Sequence, residues 1–341
     1  MSELEKIPQG EDAAIDEILR LTMGELQRAN PPGRRPVLRD AHAKHHGLVR
    51  AELAVQPGLP PELAVGVFRE PRSFRAYVRF SNSVGHIGDD HDPQTRGMAI
   101  KLLGVEGEKL LADERHERTQ DFILLTHPEF PVADVFEYIT FMKAVFSGAP
   151  AWFFLCSLNP LKWRLREFLI VYKMRAKKVH NPLTAPYFSA TPYLLGERAM
   201  KFSLQPLDAP ADEGDEPLPD SPDYLREAMV RTLRQREARF DFRVQLRQGE
   251  EDPIEDPRIP WQGPWRSVAT LRIPRQSFLS PAQLALAEHL SFTSWHSLPE
   301  HRPLGGVNRA RKKVYLEISK YRHRENGVPR AEPTGEESFD G

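Results

Sequence analysis

Residues 311–315 read Arg-Lys-Lys-Val-Tyr, and this stretch decides which fold the sequence predicts. It falls in a predicted helix, where Arg311 and Tyr315 are four residues apart and therefore lie on one face. An adjacent positive charge favours the ionised form of a phenol. A tyrosinate inside a protein is a known ligand of haem iron. The alternative is a basic helix with a tyrosine packed inward, so the rest of the chain has to discriminate between the two.

Length and charge limit the kind of protein. The 341 residues carry 47 basic and 48 acidic side chains, and this balance disfavours nucleic acid or an anionic membrane as a partner. The single cysteine, Cys156, cannot form an internal disulfide, which fits a reducing compartment. No secretory signal and no apolar run of membrane-spanning length is present in the sequence. We therefore expect a cytoplasmic protein with no membrane or nucleic-acid partner.

Hydrophobic periodicity predicts an α+β protein. Helical spacing is found at residues 12–29, 132–146, 162–178 and 281–290. Short β-branched or aromatic runs are found at residues 64–80, 97–104, 120–126, 188–205, 239–247 and 266–273. Because the strands come in groups with helices between and after them, we expect an antiparallel β core rather than a βαβ array.

The same pattern divides the chain. Residues 1–34 are predicted to form an N-terminal helical arm, and residues 35–325 the main domain. Residues 208–223 are acidic and proline-rich and are predicted to be a solvated loop. The polar residues 326–341 are predicted to be a disordered tail.

Six further motifs identify the family that the chain resembles. They are RDAHAKHHG (39–47), VRFSNSV (78–84), DPQTRGMAIK (92–101), YFSATPYLLGERAMKFSLQP (187–206), DYLREAM (223–229) and FDFRVQL (240–246). With Arg-x-x-x-Tyr and the later Tyr321-Arg322, they resemble the haem catalase family in order and spacing over roughly residues 35–325. The resemblance implies a catalase-like antiparallel β-barrel with surrounding helices. It also implies haem b (iron protoporphyrin IX) buried between the barrel and the helices.

The resemblance also implies which residues hold the haem. Tyr315 would bind the iron, and Arg311 would keep its phenol ionised. Arg39, Arg79 and Arg322 would pair with the two haem propionates, since arginine binds carboxylates through two parallel hydrogen bonds. The same resemblance has Phe130 stack over the porphyrin, although ordinary core packing explains this residue equally well.

On the opposite haem face, the resemblance implies acid–base chemistry. His42 would move a proton between the two peroxide oxygens. Ser81 would hydrogen-bond the His42 ring and orient it. The family also has an asparagine here, but the matching residues 118–124 contain none, and Gln120 or Thr119 is the expected replacement.

These features predict a haem-dependent peroxidase with weak catalase activity, of the compact catalase-related peroxidase branch. Its expected substrates are hydrogen peroxide or an organic hydroperoxide with a small organic electron donor, in an oxidative stress response, and a homo-oligomer is a further expectation. One alternative is a fatty-acid hydroperoxide isomerase or lyase of the allene oxide synthase kind. Those relatives carry threonine where this chain has Ala41. Another is a non-enzymatic haem-binding protein.

Three weaker patterns allow other sites. His42, His45 and His46 have a spacing that would suit a metal site. Residues 89–92 (Asp-Asp-His-Asp) would bind a divalent ion or form a solvated turn. The basic run at residues 309–313 would contact nucleic acid or form a solvated helix face.

Overall fold

A computed structural model describes residues 4–209 and 217–339, and these form nine β-strands and seven α-helices. The strands are β1 (His45–Val55), β2 (Ser73–Asn82), β3 (Arg96–Leu103), β4 (Thr119–Leu125), β5 (Tyr187–Phe188), β6 (Tyr193–Leu195), β7 (Arg198–Pro206), β8 (Ala238–Leu246) and β9 (Trp265–Ile273). The helices are α1 (Glu11–Ala29), α2 (Val135–Phe146), α3 (Ala151–Phe154), α4 (Leu165–Ala176), α5 (Tyr224–Gln235), α6 (Pro281–His289) and α7 (Gly306–Asn326).

The strands close into an antiparallel barrel. Their order is β5-β4-β3-β2-β1-β9-β8-β7, and β5 pairs back onto β7 through Tyr187 and Leu204. This closes an eight-stranded barrel, and β6 extends the sheet beyond β7. Closure leaves the barrel strands without a free edge, which a β protein otherwise has to protect. The predicted α+β fold with an antiparallel β-barrel is confirmed.

Side chains along each strand alternate between the barrel interior and its outer face. One set fills the interior, and the other is available on the outer face for a site. In β2, Phe74, Ala76, Val78 and Phe80 belong to the barrel core. Successive side chains of a strand point to opposite faces, so the residues between them, including Arg79, lie outside. Aromatic rings dominate the interior and pack edge to face or offset, as their quadrupoles favour. The outer face of β2 and its neighbours is where the helices pack.

Helices α1, α2 and α7 share a second hydrophobic cluster. It includes Ile18 from α1, Met142 from α2 and Val314 from α7. Arg309 of α7 also pairs with Glu11 at the start of α1. The predicted N-terminal helix is therefore present, and it packs directly on the helix that carries Tyr315.

Several parts of the structure differ from the sequence-based expectations. β1 and α5 were not predicted, and the apolar run at residues 64–68 was predicted as a strand but contains a 3-10 turn over Gly66–Phe68. The predicted loop at residues 208–223 lies partly outside the described residues. No helix among the described residues is long and apolar enough to cross a bilayer.

The tail predicted to be disordered packs against the barrel as far as residue 339. The Phe339 ring is buried against Tyr77 of β2, with ring centroids 6.0 Å apart. Glu332 accepts a hydrogen bond of 2.7 Å from the buried Lys101 of β3. The polar composition suggested disorder, but these charges have partners on the barrel surface.

Candidate active site

A cleft lies between α7 and the outer face of β2, β3 and β4. It contains about 720 Å³ of space between protein atoms, part of it open to solvent. Its lining residues are Arg39, Asp40, Ala41, His42, Arg79, Ser81, Gly97, Met98, Ala99, Ile123, Leu124, Ser291, Phe292, Tyr315, Ile318, Ser319 and Arg322. The cleft thus brings together His42, Ser81, Arg39, Arg79, Arg322 and Tyr315, as the sequence predicted.

One stripe of α7 faces the cleft. Tyr315, Ile318, Ser319 and Arg322 follow each other at helical spacing and all line it. The described residues offer the Tyr315 phenol no hydrogen-bond partner. Burial raises the pKa of Tyr315, and the Arg311 charge lowers it by a smaller amount. Protein groups alone therefore leave the phenol protonated at neutral pH, and the role of Arg311 in keeping a haem-bound Tyr315 ionised stays a prediction.

Arg311 lies behind the cleft and is held in place from three sides. Its guanidinium donates to Thr191 Oγ1 (3.2 Å) and to Asn308 Oδ1 (3.3 Å). It also lies over the Phe130 ring, 5.2 Å from the centroid. Phe130 packs edge to face on Tyr138 and is not among the residues that line the cleft. The structure thus places Phe130 in the support behind Arg311.

Three arginines converge at one end of the cleft, and two of them contact the same carboxylate. Arg322 donates to Glu288 Oε1 (2.7 Å), and Arg39 donates to the same oxygen (3.2 Å). Arg79 donates to the carbonyl oxygens of Ala287 and His42, each at 3.0 Å. Burial and the like charge of Arg39 lower the pKa of Arg79 well below its usual range. Three guanidinium groups beside one hydrogen-bonded carboxylate leave a local excess of positive charge.

Asp40 adds a second carboxyl group to this end of the cleft. Burial raises its pKa, although Arg322 and Arg39 oppose the shift. Desolvation disfavours the charged form of a carboxyl group. Asp40 therefore offsets the excess positive charge less than a solvated aspartate would.

His42 is held in an unusual backbone conformation. Its φ of 60° is in the left-handed region, which non-glycine residues seldom occupy. Its amide donates to the Ser83 carbonyl (3.2 Å), and its own carbonyl accepts from Arg79. The ring Nδ1 lies 3.0 Å from Ser81 Oγ, so Ser81 fixes the ring orientation as predicted for it. Burial and the charge of Arg79 lower the pKa of His42 to about 3. The imidazole is therefore neutral at physiological pH.

Glycine is required at position 97 beside this ring. A Cβ on Gly97 would lie 2.6 Å from His42 Nδ1 and 3.0 Å from Ser81 Oγ. Carbon atoms do not approach side-chain atoms that closely, so any other residue would displace the His42 ring or the Ser81 hydroxyl. Gly97 thus keeps open the strand surface on which the His42–Ser81 pair rests.

Gln120 is placed elsewhere. On β4 it has the same parity as Phe122 and Leu124, which belong to the barrel core. Its carboxamide oxygen accepts from the Leu298 amide (3.0 Å), and its side chain does not line the cleft. Thr119 is also absent from the cleft, because its hydroxyl contacts His296 Nε2 at 2.5 Å. The predicted substitution of either residue for the family's asparagine is therefore not supported by their positions.

Polar residues that the sequence did not single out complete the site. Ser319 Oγ lies 2.6 Å from Ser291 Oγ, and Ser291 Oγ lies 3.0 Å from His323 Nε2. Arg330 Nε donates to Ser319 Oγ (3.1 Å). Glu288 was also missed, because nothing in its local sequence distinguishes it from other helix-terminal glutamates.

The other candidate sites have structural partners. His46 Nε2 bonds Asn82 Oδ1 (3.0 Å), and the buried Asp90 accepts from the Leu225 amide and pairs with Lys44. Asp90 is therefore neither a solvated turn residue nor a free metal ligand. Arg309 pairs with glutamates and so is not available to nucleic acid.

Among the described residues, one group of three side chains has metal-ligand spacing. It consists of Glu114, His296 and Glu332. These side chains already have partners, since Glu332 pairs with Lys101 and Glu114 with Arg330. The histidines at positions 42, 45 and 46 do not form such a group. Among the described residues, this one group with metal-ligand spacing is therefore explained by buried ion pairs.

Three solved structures resemble the chain over most of its length. A fungal catalase shares 18% identity with a TM-score of 0.66, covering 88% of this chain and 61% of the catalase. The chain has the catalase fold. Catalase A from Saccharomyces cerevisiae shares 17% identity with a TM-score of 0.66, covering 88% of this chain and 63% of its own. A bacterial catalase shares 16% identity with a TM-score of 0.63, and the match covers 94% of this chain and 65% of that catalase.

The match has two limits. The chain spans less than two thirds of the length of each of these catalases. No protein-family model and no curated protein matches the sequence. The catalase-like architecture is therefore common to the chain and these enzymes, and the chemistry has to be argued from the cleft.

Proposed function

We propose that this chain is a haem-dependent enzyme that reduces peroxides. The observation that carries the proposal is the composition of one cleft, which contains a phenol without a hydrogen-bond partner among the described residues, a neutral histidine and three arginines. Haem b bears two propionates, and Arg39, Arg79 and Arg322 would supply the positive charge that pairs with them. Tyr315 would be the iron ligand.

The fit of the cleft to haem rests on its chemistry. A bound haem would supply an iron centre at which a peroxide oxygen is held and reduced. A metal cation would favour the deprotonated phenol of Tyr315, because a nearby ion reverses the effect of burial on pKa. The positive Arg311 acts in the same direction. The apolar side chains of Ala99, Ile123 and Phe292 would pack on a macrocycle.

His42 would carry the proton chemistry. Its neutral imidazole accepts the proton of one peroxide oxygen and returns it to the other, which leaves as water or an alcohol. Ser81 positions the ring for both transfers. Peroxide reduction consumes two electrons and two protons, and the electrons would come from a small organic donor or a second peroxide. Because the cleft lining contains no amide side chain, we propose that dismutation is weak and peroxidase turnover dominates.

A second candidate is isomerisation of a fatty-acid hydroperoxide. The apolar lining by Ala99, Ile123, Phe292 and Ile318 favours an organic hydroperoxide over hydrogen peroxide. In an isomerisation the substrate retains its oxidation level, and no external donor is consumed. Dependence of turnover on an added aromatic donor therefore separates the two candidates.

The first test is haem binding by a Tyr315→Phe variant. Purified wild type loaded with haem is expected to show a tyrosinate-type absorption spectrum and donor oxidation by peroxide. Tyr315→Phe should change the spectrum and lose most of the haem, because the phenol oxygen is removed while the ring remains. Tyr321→Phe is the matched control, since Tyr321 is on the same helix but does not line the cleft. An unchanged spectrum in Tyr315→Phe would exclude this residue as the ligand.

A further inference from the structure

Exposed hydrophobic side chains are concentrated in one segment, residues 151–178, which we call the α3–α4 segment. Of the sixteen most exposed large hydrophobic side chains among the described residues, nine lie here. Leu158 is 104% exposed, Leu161 93% and Trp152 72%. Contiguous exposed apolar surface on a soluble protein generally marks a site of interaction. Nothing in the proposed peroxide chemistry uses these side chains.

Helix α4 has two faces of different character. Leu165, Phe168, Leu169 and Tyr172 are exposed, and their spacing of i, i+3, i+4 and i+7 places them in one outward stripe. The opposite face holds the helix on the protein, and there Glu167 is buried and paired with Arg258. The apolar stripe is therefore oriented away from the core.

The stripe continues onto α3 through aromatic contacts. Phe168 and Tyr172 are stacked with centroids 6.4 Å apart. Phe168 also meets Phe154 edge to face at 5.6 Å, and Phe154 meets Phe153 at 5.1 Å. Since Phe153 is buried, these contacts fix the orientation of the exposed rings. The exposed side chains therefore form one connected surface whose orientation is set by packing.

The charge of the α3–α4 segment is opposite in sign to that of the whole chain. It contains seven lysines and arginines and one acidic residue, Glu167, whereas the full chain has a net charge of −1. Arg166 and Lys173 each follow a stripe residue by one position and so flank the apolar face on the same side. Arg175 lies on the other flank. An apolar stripe with basic residues on both flanks is typical of helices that lie in a membrane interface.

We propose that the α3–α4 segment binds the surface of an anionic lipid bilayer. The leucine and aromatic side chains would enter the interface, where tryptophan and tyrosine are favoured, and the basic residues would contact lipid headgroups. Helix α4 has 12 residues and would lie in the plane of the membrane. A second copy of the chain is a poorer partner, because pairing two such segments would bring like charges together. The balanced charge of the whole sequence predicted no membrane partner, but it averages over this local excess.

The test is co-sedimentation of the full-length chain with lipid vesicles, measured without peroxide so that it does not depend on the proposed enzyme activity. One set of vesicles is pure phosphatidylcholine, and the other also contains phosphatidylserine at about one third of the lipid. The wild type should bind the anionic vesicles more tightly and bind less as salt is added, because surface charges are screened. Tryptophan emission should shift to the blue as Trp152 and Trp163 enter the interface.

Two variants separate the apolar and electrostatic contributions. Leu158→Ser/Leu161→Ser removes exposed side chains only, so folding should be retained while binding to both vesicle types falls. Ile87→Ser/Leu207→Ser is its matched control on exposed residues outside the segment. Arg166→Glu/Lys173→Glu should weaken binding to anionic vesicles at least roughly 25-fold, since each basic residue near such a surface contributes about fivefold. Arg231→Glu/Arg234→Glu on α5 is the charge-matched control.

Three results would overturn the proposal. One is the absence of binding to anionic vesicles at low salt. Another is binding that the two control pairs reduce as much as the segment variants do. The third is a concentration-dependent dimer that Leu158→Ser/Leu161→Ser dissociates and that does not sediment with vesicles, which would identify the segment as an interface between copies of the chain.

Discussion

Burial and the charge of Arg311, one turn away on α7, have opposing effects on the pKa of Tyr315. Burial raises the pKa of the phenol, and the guanidinium lowers it by less. A ligand that must lose a proton to bind a metal binds more weakly when its pKa is higher. Arg311 would therefore contribute to haem affinity indirectly, by reducing the cost of deprotonating Tyr315. Thr191, Asn308 and the Phe130 ring keep the guanidinium in position for this role.

This leads to a prediction for Arg311→Gln. Removing the positive charge should raise the pKa of Tyr315 further and weaken haem binding about tenfold for each unit of pKa. Absorption titrations with haem between about pH 6 and 9 should show the affinity curve of the variant displaced to higher pH. Arg311→Lys, which retains the charge, should recover part of the affinity. Lys312→Gln, on the exposed face of the same helix, should behave as wild type, and equal affinities for Arg311→Gln and wild type would refute the role.

At the scale of elements, the family resemblance implied the cleft residues, and strand parity and helix spacing explain why these residues share one face. β2 alternates core residues with cleft residues, so the motif VRFS already separates Phe80 from Arg79 and Ser81. The helical spacing of Tyr315 and Arg322 placed both on one face of α7. Gln120 does not line the cleft, because it shares the strand parity of the core residue Phe122, and a match of motif order carries no information about parity.

Other elements carried no local signal. β1 was not predicted, because Gly47, Ala51 and Glu52 have low strand propensity and weaken the β pattern of this stretch. Glu288 enters the site only through packing of α6 against the arginines. The tail at residues 326–339 is ordered by pairing of Glu332 with a lysine far away in sequence. Such pairings depend on tertiary structure and cannot be predicted from composition.

The ion pairs between β3, β4 and the tail give a prediction about stability. Lys101 is fully buried, with Nζ 2.7 Å from both Asp121 and Glu332. Lys101→Met would leave two buried carboxylates without their cation. Breaking a buried pair in this way typically costs about 3–5 kcal/mol of unfolding free energy, measurable by chemical denaturation. Arg118→Met is the control, because its exposed pair with Glu106 should contribute at most about 1 kcal/mol. A similar loss of unfolding free energy in both variants would show that burial of the Lys101 pairs adds nothing to their contribution.

On the scale of the whole molecule, the cleft is assembled from distant parts of the chain. Arg39 precedes β1, Arg79 lies in β2 and Arg322 lies near the end of α7, yet Glu288 contacts two of them and the third lies beside it. The barrel provides the rigid surface that keeps these segments together. Burial of so many titratable groups has a thermodynamic consequence, because each buried group titrates differently in the folded and unfolded chain.

Acid should therefore destabilise the fold through its buried histidines. Burial lowers the pKa of His42 to about 3, of His45 to about 2 and of His301 to about 4, from an unfolded value of 6.5. Between the folded and unfolded pKa the unfolded chain binds the proton and the folded chain does not, so stability falls as pH decreases from about 6.5 toward 4. Each histidine contributes up to about 1.4 kcal/mol of unfolding free energy per pH unit in this window.

His301→Gln, whose amide oxygen can still accept from the Val67 amide as His301 does, should reduce the slope by that amount. Urea unfolding at several pH values measures it, with the exposed His116→Gln as control, and an unchanged slope in His301→Gln would show that His301 is not buried in its neutral form.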